Sequence, residues 1–412
     1  MAMRRLLIVA LGLMLTGGTA TSLAAPPIVV GAVYPTHGSQ GTGGVEEFRG
    51  VELAAAYVNQ RGGVDGRPIR LQLADASSYD AAPGAVEQLA HAGITVVVGS
   101  YGSTISRPAA DTASRLGLVF WETGAVGQLT MGAATSNRVF RFAPTGGTLG
   151  RAAVAFVRDE LAPRLHRARP LQYGVAYVDD VYGRAVGLGA LAEVQRSRLP
   201  LAGAFPYQLR KLRYPDLAGR IAGARPDVLV VGAYLEDGAE LRRALVHARV
   251  PLVATIGTSS SYCMPAFGRL LGQAAVGVFA SDKPDGDVLR PDRLAHEAGQ
   301  ALRWARAEYR RRYREPFSAP ALAGLAGGLA LFQHVLPRAG DSSAEAVARA
   351  AREVALPEGA LPNGSGLAFG PPGTPDGSTN LRATSVIWEW VGLNTRAVVW
   401  PPTFATHPIA FP

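Results

Sequence analysis

The first candidate chemistry in this chain lies in two short runs of hydroxyl and small residues. Ser100-Tyr101-Gly102-Ser103-Thr104-Ile105-Ser106 follows the apolar run Ile94-Thr95-Val96-Val97-Val98. Glu122-Thr123-Gly124-Ala125 follows a second apolar run, Leu116 to Trp121. Serine and threonine hydroxyls, and the free N–H groups at a helix start, donate hydrogen bonds to an anion. Ser103, Thr104 and Thr123 therefore make a candidate clamp for a small carboxylate, helped by backbone N–H groups near Ser103 and Ala125. The same hydroxyls could instead cap the helix that follows. Tyr101 and Trp121 flank the two loops, so the pocket could also admit an aromatic or bulky apolar group.

The elements around these loops explain why they would converge. The run from Ile94 is short and β-branched and stops at Gly99, the pattern of a buried strand in a parallel sheet. Pro108-Ala109-Ala110-Asp111 reads as the first turn of a helix. Strand, hydroxyl loop and helix thus recur twice. In open parallel α/β sheets, ligands sit outside the carboxyl ends of the strands.

Other chemistries are poorly supported. The chain has no Gly-x-Ser-x-Gly elbow, and its seven histidines are dispersed, with no metal-ligand spacing among them or with Cys263. Gly41-Thr42-Gly43-Gly44 lacks the lysine of a phosphate loop, and Gly187-Leu188-Gly189 lies inside a helical stretch. The adjacent acids Glu46-Glu47 and Asp179-Asp180 are of a kind common on surfaces and at helix starts. No cofactor, metal or catalytic residue is expected. Cys263 is the only cysteine, so no intramolecular disulfide can form. Lys and Arg number 41 against 32 Asp and Glu, a formal charge of +9. The excess is arginine-led and scattered, without a compact basic motif interleaved with aromatics, so no nucleic-acid partner is expected.

Residues 1–24 read as a cleaved secretory signal peptide, with Arg4 and Arg5, an apolar stretch from Leu6 to Leu15, and Ser22-Leu23-Ala24 at the cleavage site. No cysteine follows to carry a lipid anchor, and no later stretch reads as a membrane span. The mature chain is expected in the periplasm, with a length that fits two domains.

Along the chain, Ile28 to Val33 is a strand, and Val45, Phe48, Val51, Ala55 and Val58 mark one face of a helix. Asn59-x-x-Gly62-Gly63-Val64-x-Gly66-Arg67 follows, then a strand ending in Asp75, then Val98-Gly99-x-x-x-Ser103. This order resembles the periplasmic solute-binding proteins of ABC importers, in particular the branched-chain amino-acid-binding and amide-binding group. The resemblance covers nearly the whole mature chain. It implies an α/β fold of two Rossmann-like lobes with mainly parallel sheets, joined by a three-crossover hinge. After Arg141 to Thr145 the strand–helix pattern restarts, so crossovers are expected near Phe142, Val278 and Gly370. Lobe 1 would comprise residues 25–143 and 278–368, lobe 2 residues 144–277 and 369–400, and residues 401–412 an irregular tail. Arg303, Arg306, Arg310 and Arg314 fall on one face of a helix, read as solvated.

The resemblance also implies site residues in the second lobe. Tyr182 and Tyr234 match positions where the family sets aromatics against the ligand, although ordinary packing would also account for them. Ser259 stands where amino-acid-binding members offer a glutamate to the ligand's ammonium. A buried ammonium without a carboxylate is costly, so either another acid serves, with Glu122, Asp179 and Asp180 nearest in loop terms, or the ligand is not an α-amino acid. The implied function is capture of a small solute (amino acid, amide or small carboxylate) by a monomer that delivers it to the membrane permease subunits of an ABC transporter. A ligand-sensing protein of a signalling system would use the same fold, and an exported α/β enzyme is a third class.

Overall fold

Val96 to Val98 are buried on both sides, as an unbroken β-branched run requires, and the first sheet is built around them. The structure is a computed structural model that describes residues 25–128, 137–259, 261–374 and 377–410. The signal-peptide segment 1–24, Thr130, Ser260 and the last two residues of the expected tail lie outside the described residues.

The first sheet contains β1 (Ile28–Tyr34), β2 (Ile69–Asp75), β3 (Val96–Gly99), β4 (Val119–Glu122) and β5 (Val139–Arg141). Its order is β2-β1-β3-β4-β5, all parallel. Between these strands run α1 (Gly41–Asn59), α2 (Ala81–His91) and α3 (Ser103–Arg115). Helix α3 starts five residues before the expected proline-led turn. Gly102, with extended backbone, precedes its first residue, and Pro108 lies inside it.

After β5 the chain enters the second lobe through α4 (Gly146–Phe156), a wider turn and α5 (Ala162–Arg164). There follow β6 (Tyr173–Val178), α6 (Val181–Arg196), β7 (Leu201–Tyr207), α7 (Tyr214–Ala224), β8 (Val228–Gly232), α8 (Leu235–His247), β9 (Ala254–Thr258), α9 (Pro265–Leu271) and β10 (Phe279–Asp282). The chain returns to the first lobe for α10 (His296–Tyr313), α11 (Ala319–Leu329), α12 (Leu336–Ala339) and α13 (Ala344–Glu353). It then closes the second sheet with β11 (Val386–Gly392) and β12 (Thr395–Trp400), giving the order β12-β11-β10-β9-β8-β6-β7. Among the named strands of the described residues, only the pairings of β11 with β10 and β12 are antiparallel.

Sheet membership moves two expected boundaries. β10 pairs in parallel with β9, so the second crossing falls after Asp282 rather than at 278. Phe369 packs edge-on against Trp121 and Phe140 of the first lobe, at ring distances of 5.3 and 5.0 Å, so the third crossing lies beyond it, before β11. Asn380 N bonds to Arg141 O there, which sets the first and third crossings side by side. The described part of the tail is irregular but packed. Phe404 is buried, Thr406 N bonds to Val398 O, and Ala410 N bonds to a Glu389 carboxylate oxygen.

The helix Ala319–Ala339 has the length and apolarity of a membrane span, contrary to the reading of the sequence, yet most of it is buried in the fold. Its small residues let it approach α1 as well as the sheet, where Trp121 Nε1 donates to Gly327 O at 3.0 Å. A Cβ at Gly324 would overlap the Glu47 carbonyl, and one at Gly50 would overlap the Ala321 carbonyl. The arginine face of α10 is also more than solvated. Arg306 donates to Gly286 O and Leu289 O, and Arg310 pairs with Asp287 at 2.7 Å.

Candidate functional site

Helix α3 opens at the end of β3 with no side-chain cap. Ile105 N and Ser106 N both turn back to Gly102 O, which leaves the Ser103 and Thr104 N–H groups at the open end. Ser103 Oγ accepts from Gly127 N at 2.9 Å, and Thr104 Oγ1 accepts from Gln40 Nε2 at 2.8 Å. Each hydroxyl keeps its own proton to donate. The start of α3 meets the start of α6 across the junction of the lobes: a Cβ at Gly127 would stand 2.8 Å from Ser103 Cβ and 2.9 Å from Val181 Cγ1.

The loop after β4 is tied down by the protein itself. Glu122 is fully buried. Its carboxylate accepts from Gly124 N at 2.7 Å, Ala125 N at 2.6 Å, Ser100 N at 3.1 Å and the Ser106 hydroxyl. Burial raises this carboxyl's pKa, and these bonds oppose the shift. The loop's carbonyls are held from the other side. Lys283 Nζ donates to Gly124 O at 2.8 Å, and Arg141 donates to Ala125 O at 3.3 Å and Gly127 O at 2.5 Å. Arg141 falls to about 10 through burial, with Glu122 opposing the fall.

The sequence-derived clamp is therefore split. Ser103 and Thr104 stand together at the junction. Thr123 is fully buried and faces inward, its hydroxyl 2.7 Å from Tyr34 Oη and donating to Glu47 Oε1 at 2.5 Å. The Ala125 N–H is already occupied by Glu122.

In the second lobe, Tyr182 and Tyr234 come together with ring centroids 5.1 Å apart, tilted by 39°. Tyr182 is buried, its hydroxyl 3.0 Å from Thr258 Oγ1. Tyr234 is partly exposed and donates to Asp180 Oδ2 at 2.7 Å, while Asp180 Oδ1 caps α6 through Gly183 N at 2.8 Å. Asp179 pairs with Arg184 at 2.6 Å. All three acids nearest in loop terms are thus engaged within the chain. Ser259 lies beyond the end of β9 with φ +25°, its N–H on Ser281 O and its carbonyl taking the Cys263 thiol. Tyr101, partly exposed, lays its ring over Gly43, one turn before Glu47 on the same face of α1.

Sequence reasoning missed Glu122 as a structural anchor, Arg141 and Lys283 as loop clamps, and Glu47 as a buried partner of Thr123. Lys283 had one signal: it is one of two lysines in a chain that otherwise uses arginine.

Two α/β lobes joined by three crossings, with hydroxyl loops and a helix start on one lobe opposite an aromatic pair on the other, define a hinged, two-lobed binding protein. The chain belongs to the periplasmic binding protein family, whose model matches residues 27–379. It is 26% identical over 396 residues to "Leu/Ile/Val-binding protein homolog 8" of Brucella suis biovar 1 (strain 1330), covering 95% of this chain and 94% of that one. Among solved structures, a putative branched-chain amino acid ABC transporter protein from Silicibacter pomeroyi is similar with a TM-score of 0.76 at 18% identity, over 94% of this chain and 99% of its own. The leucine-binding protein LivK of Thermotoga maritima gives 0.72 at 14% identity, over 90% and 97%. LivJ of Streptococcus pneumoniae, in complex with isoleucine, gives 0.69 at 17%, over 91% and 100%.

Proposed function

We propose that this protein is an extracytoplasmic receptor that captures one small solute between its lobes and passes it to an ABC-type permease. It acts as a monomer exported by its N-terminal segment. The observation that supports the reading is the meeting of the start of α3, at Ser103, with the start of α6, at Val181, next to Tyr182, whose ring packs against Tyr234. The Ser103 and Thr104 N–H groups and hydroxyls hold a carboxylate or similar acceptor on the solute. Tyr101 and Tyr234 supply contact area at low entropic cost. The relatives bearing leucine, isoleucine and valine in their names support a solute of amino-acid size.

A thermal-shift screen against amino acids, amides, aromatic acids and dicarboxylates tests the reading, because a ligand bound only by the native state raises the melting temperature. The effective solute also makes the particle more compact in small-angle scattering, since only closed lobes both touch it. A melting temperature unmoved by every solute class, or an unchanged radius of gyration at saturation, would contradict it.

A further inference from the structure

We propose that Asp282 is the specificity-determining acid of this site, taking a positively charged nitrogen of the solute in place of the acid missing at Ser259. The inference rests on the solute-binding reading above and adds the residue and the solute's charge.

Four observations carry it. The first is register. β9 and β10 pair in parallel, with Ile256 opposite Phe279, Gly257 opposite Ala280 and Thr258 opposite Ser281. One step further along both strands sets Asp282 beside Ser259, at the same ligand-facing sheet edge. The carboxylate is displaced by one strand rather than lost.

The second is an unmet acceptor. Asp282 is 3% exposed, and its Oδ1 accepts no hydrogen bond among the described residues. A carboxylate oxygen held this way is costly unless a donor or cation meets it. The third is what surrounds it. The Cys263 thiol donates to Ser259 O, and burial with Asp282 beside it pushes the thiol's pKa up. Burial also raises the Tyr101 hydroxyl's pKa, with Cys263, Glu47 and Asp282 adding to the shift. Glu47, fully buried behind Tyr101, carries a second carboxylate oxygen, Oε2, without a partner among the described residues. One carboxyl oxygen from each lobe, without a partner among the described residues, thus faces the surroundings of Tyr101.

The fourth is elimination. Glu122 is saturated by four donors, Asp179 is paired with Arg184, and Asp180 both caps α6 and takes the Tyr234 hydroxyl. Asp237, further along α8, takes the Tyr207 hydroxyl at 2.5 Å. A solute whose acceptor end lies on the Ser103 and Thr104 N–H groups would set its nitrogen toward Asp282.

The test is calorimetric titration with two matched series: L-leucine, isopentylamine and 4-methylpentanoate; L-phenylalanine, 2-phenylethylamine and 3-phenylpropanoate. The wild type should bind nitrogen-bearing members of at least one series, and the deaminated acid of that series at least about tenfold more weakly. Asp282→Asn should lose at least about tenfold toward the nitrogen-bearing probe, with Asp179→Asn close to wild type. Unliganded Asp282→Asn should melt at or above the wild-type temperature, because Oδ1 takes no hydrogen bond among the described residues that the change would break. Should it melt lower, the wild-type comparison of parent and deaminated probes decides alone.

Equal binding of the deaminated acids, wild-type affinity in a folded Asp282→Asn variant, or no binding by any nitrogen-bearing probe would overturn the inference. A solute of another class that binds and closes the lobes without sensing Asp282→Asn leaves the receptor reading standing. If no solute of any class shifts the melting temperature, it is the receptor reading that fails.

Discussion

Replacing Glu122 with alanine should unlock the loop on which the first lobe's half of the site rests. The side chain satisfies three backbone N–H groups, those of Ser100, Gly124 and Ala125, together with the Ser106 hydroxyl. Ser106 can turn to Ser100 Oγ, already 2.6 Å away. The three N–H groups have no such neighbour, and each buried donor left unsatisfied costs about 1–3 kcal/mol. Loss of a desolvated charge offsets part of this, since burial already raises the Glu122 carboxyl's pKa. A net cost of about 3–5 kcal/mol follows from the lower end of that range plus the cavity left behind. At about 2–4 °C per kcal/mol for a domain of this size, the melting temperature should fall by roughly 10 °C. Glu122→Gln keeps one carbonyl to accept from Gly124 N and Ala125 N and should lose about 1–2 kcal/mol. Calorimetric melting of the three proteins without solute decides the matter. An alanine variant that melts within about 2 °C of wild type, or a glutamine variant less stable than the alanine one, would refute the assignment of Glu122 as the loop's anchor.

Three further outcomes follow from the same geometry. Gly324→Ala pushes a methyl into the Glu47 carbonyl and should cost about 1–3 kcal/mol in urea melts, whereas Gly219→Ala in α7, with open space around it, should gain up to about 1 kcal/mol. Ser103→Ala and Tyr234→Ala should each weaken binding of the best solute about tenfold or more in calorimetry while leaving the melting temperature of the free protein within a few degrees. Glu47 is raised well above 4.5 by burial, with Lys283 opposing and Glu122 adding to the shift. The folded protein therefore holds this proton more tightly than the unfolded chain. Its contribution is fully present below about pH 4.5 and is lost as pH rises through the folded value. Stability of wild type relative to Glu47→Gln should thus decline in urea melts as pH rises above about 4.5, and a flat difference would contradict the assignment.

Much of the frame was legible because its determinants are local. Unbroken β-branched runs such as Val96 to Val98 give buried parallel strands, and the restart after Thr145 marks the second lobe. Tyr182 and Tyr234, more than fifty residues apart, were paired through the family pattern, and the structure sets their rings in contact. The remainder depends on contacts that no local pattern encodes. Glu122 turns back onto N–H groups two and three residues ahead and onto Ser106 from a different strand loop, so nothing in Glu122-Thr123-Gly124 separates an anchor from a ligand group. Thr123 looked like half of a clamp because strand alternation leaves its direction open once the strand ends, and Tyr34 and Glu47 turn it inward. That α11 packs against α1 emerges only from the structure, where Gly50 lies against Ala321 O and Gly324 against Glu47 O. β10 reads as a crossing strand until its pairing with β9 places it in the second sheet.

The most direct test of the account is the crystal structure of the protein with the solute that most raises its melting temperature. The account places that solute between the lobes, bounded by Ser103 and Thr104 at the start of α3, by Tyr101, and by Tyr234 on the opposite lobe. Two surface cavities lie elsewhere: about 560 Å³ beside Asp287, Arg310 and Arg314, and about 400 Å³ beside Gln208, Lys211 and Asp216. Solute density in either of those, with the lobes as far apart as in the free protein, would contradict it.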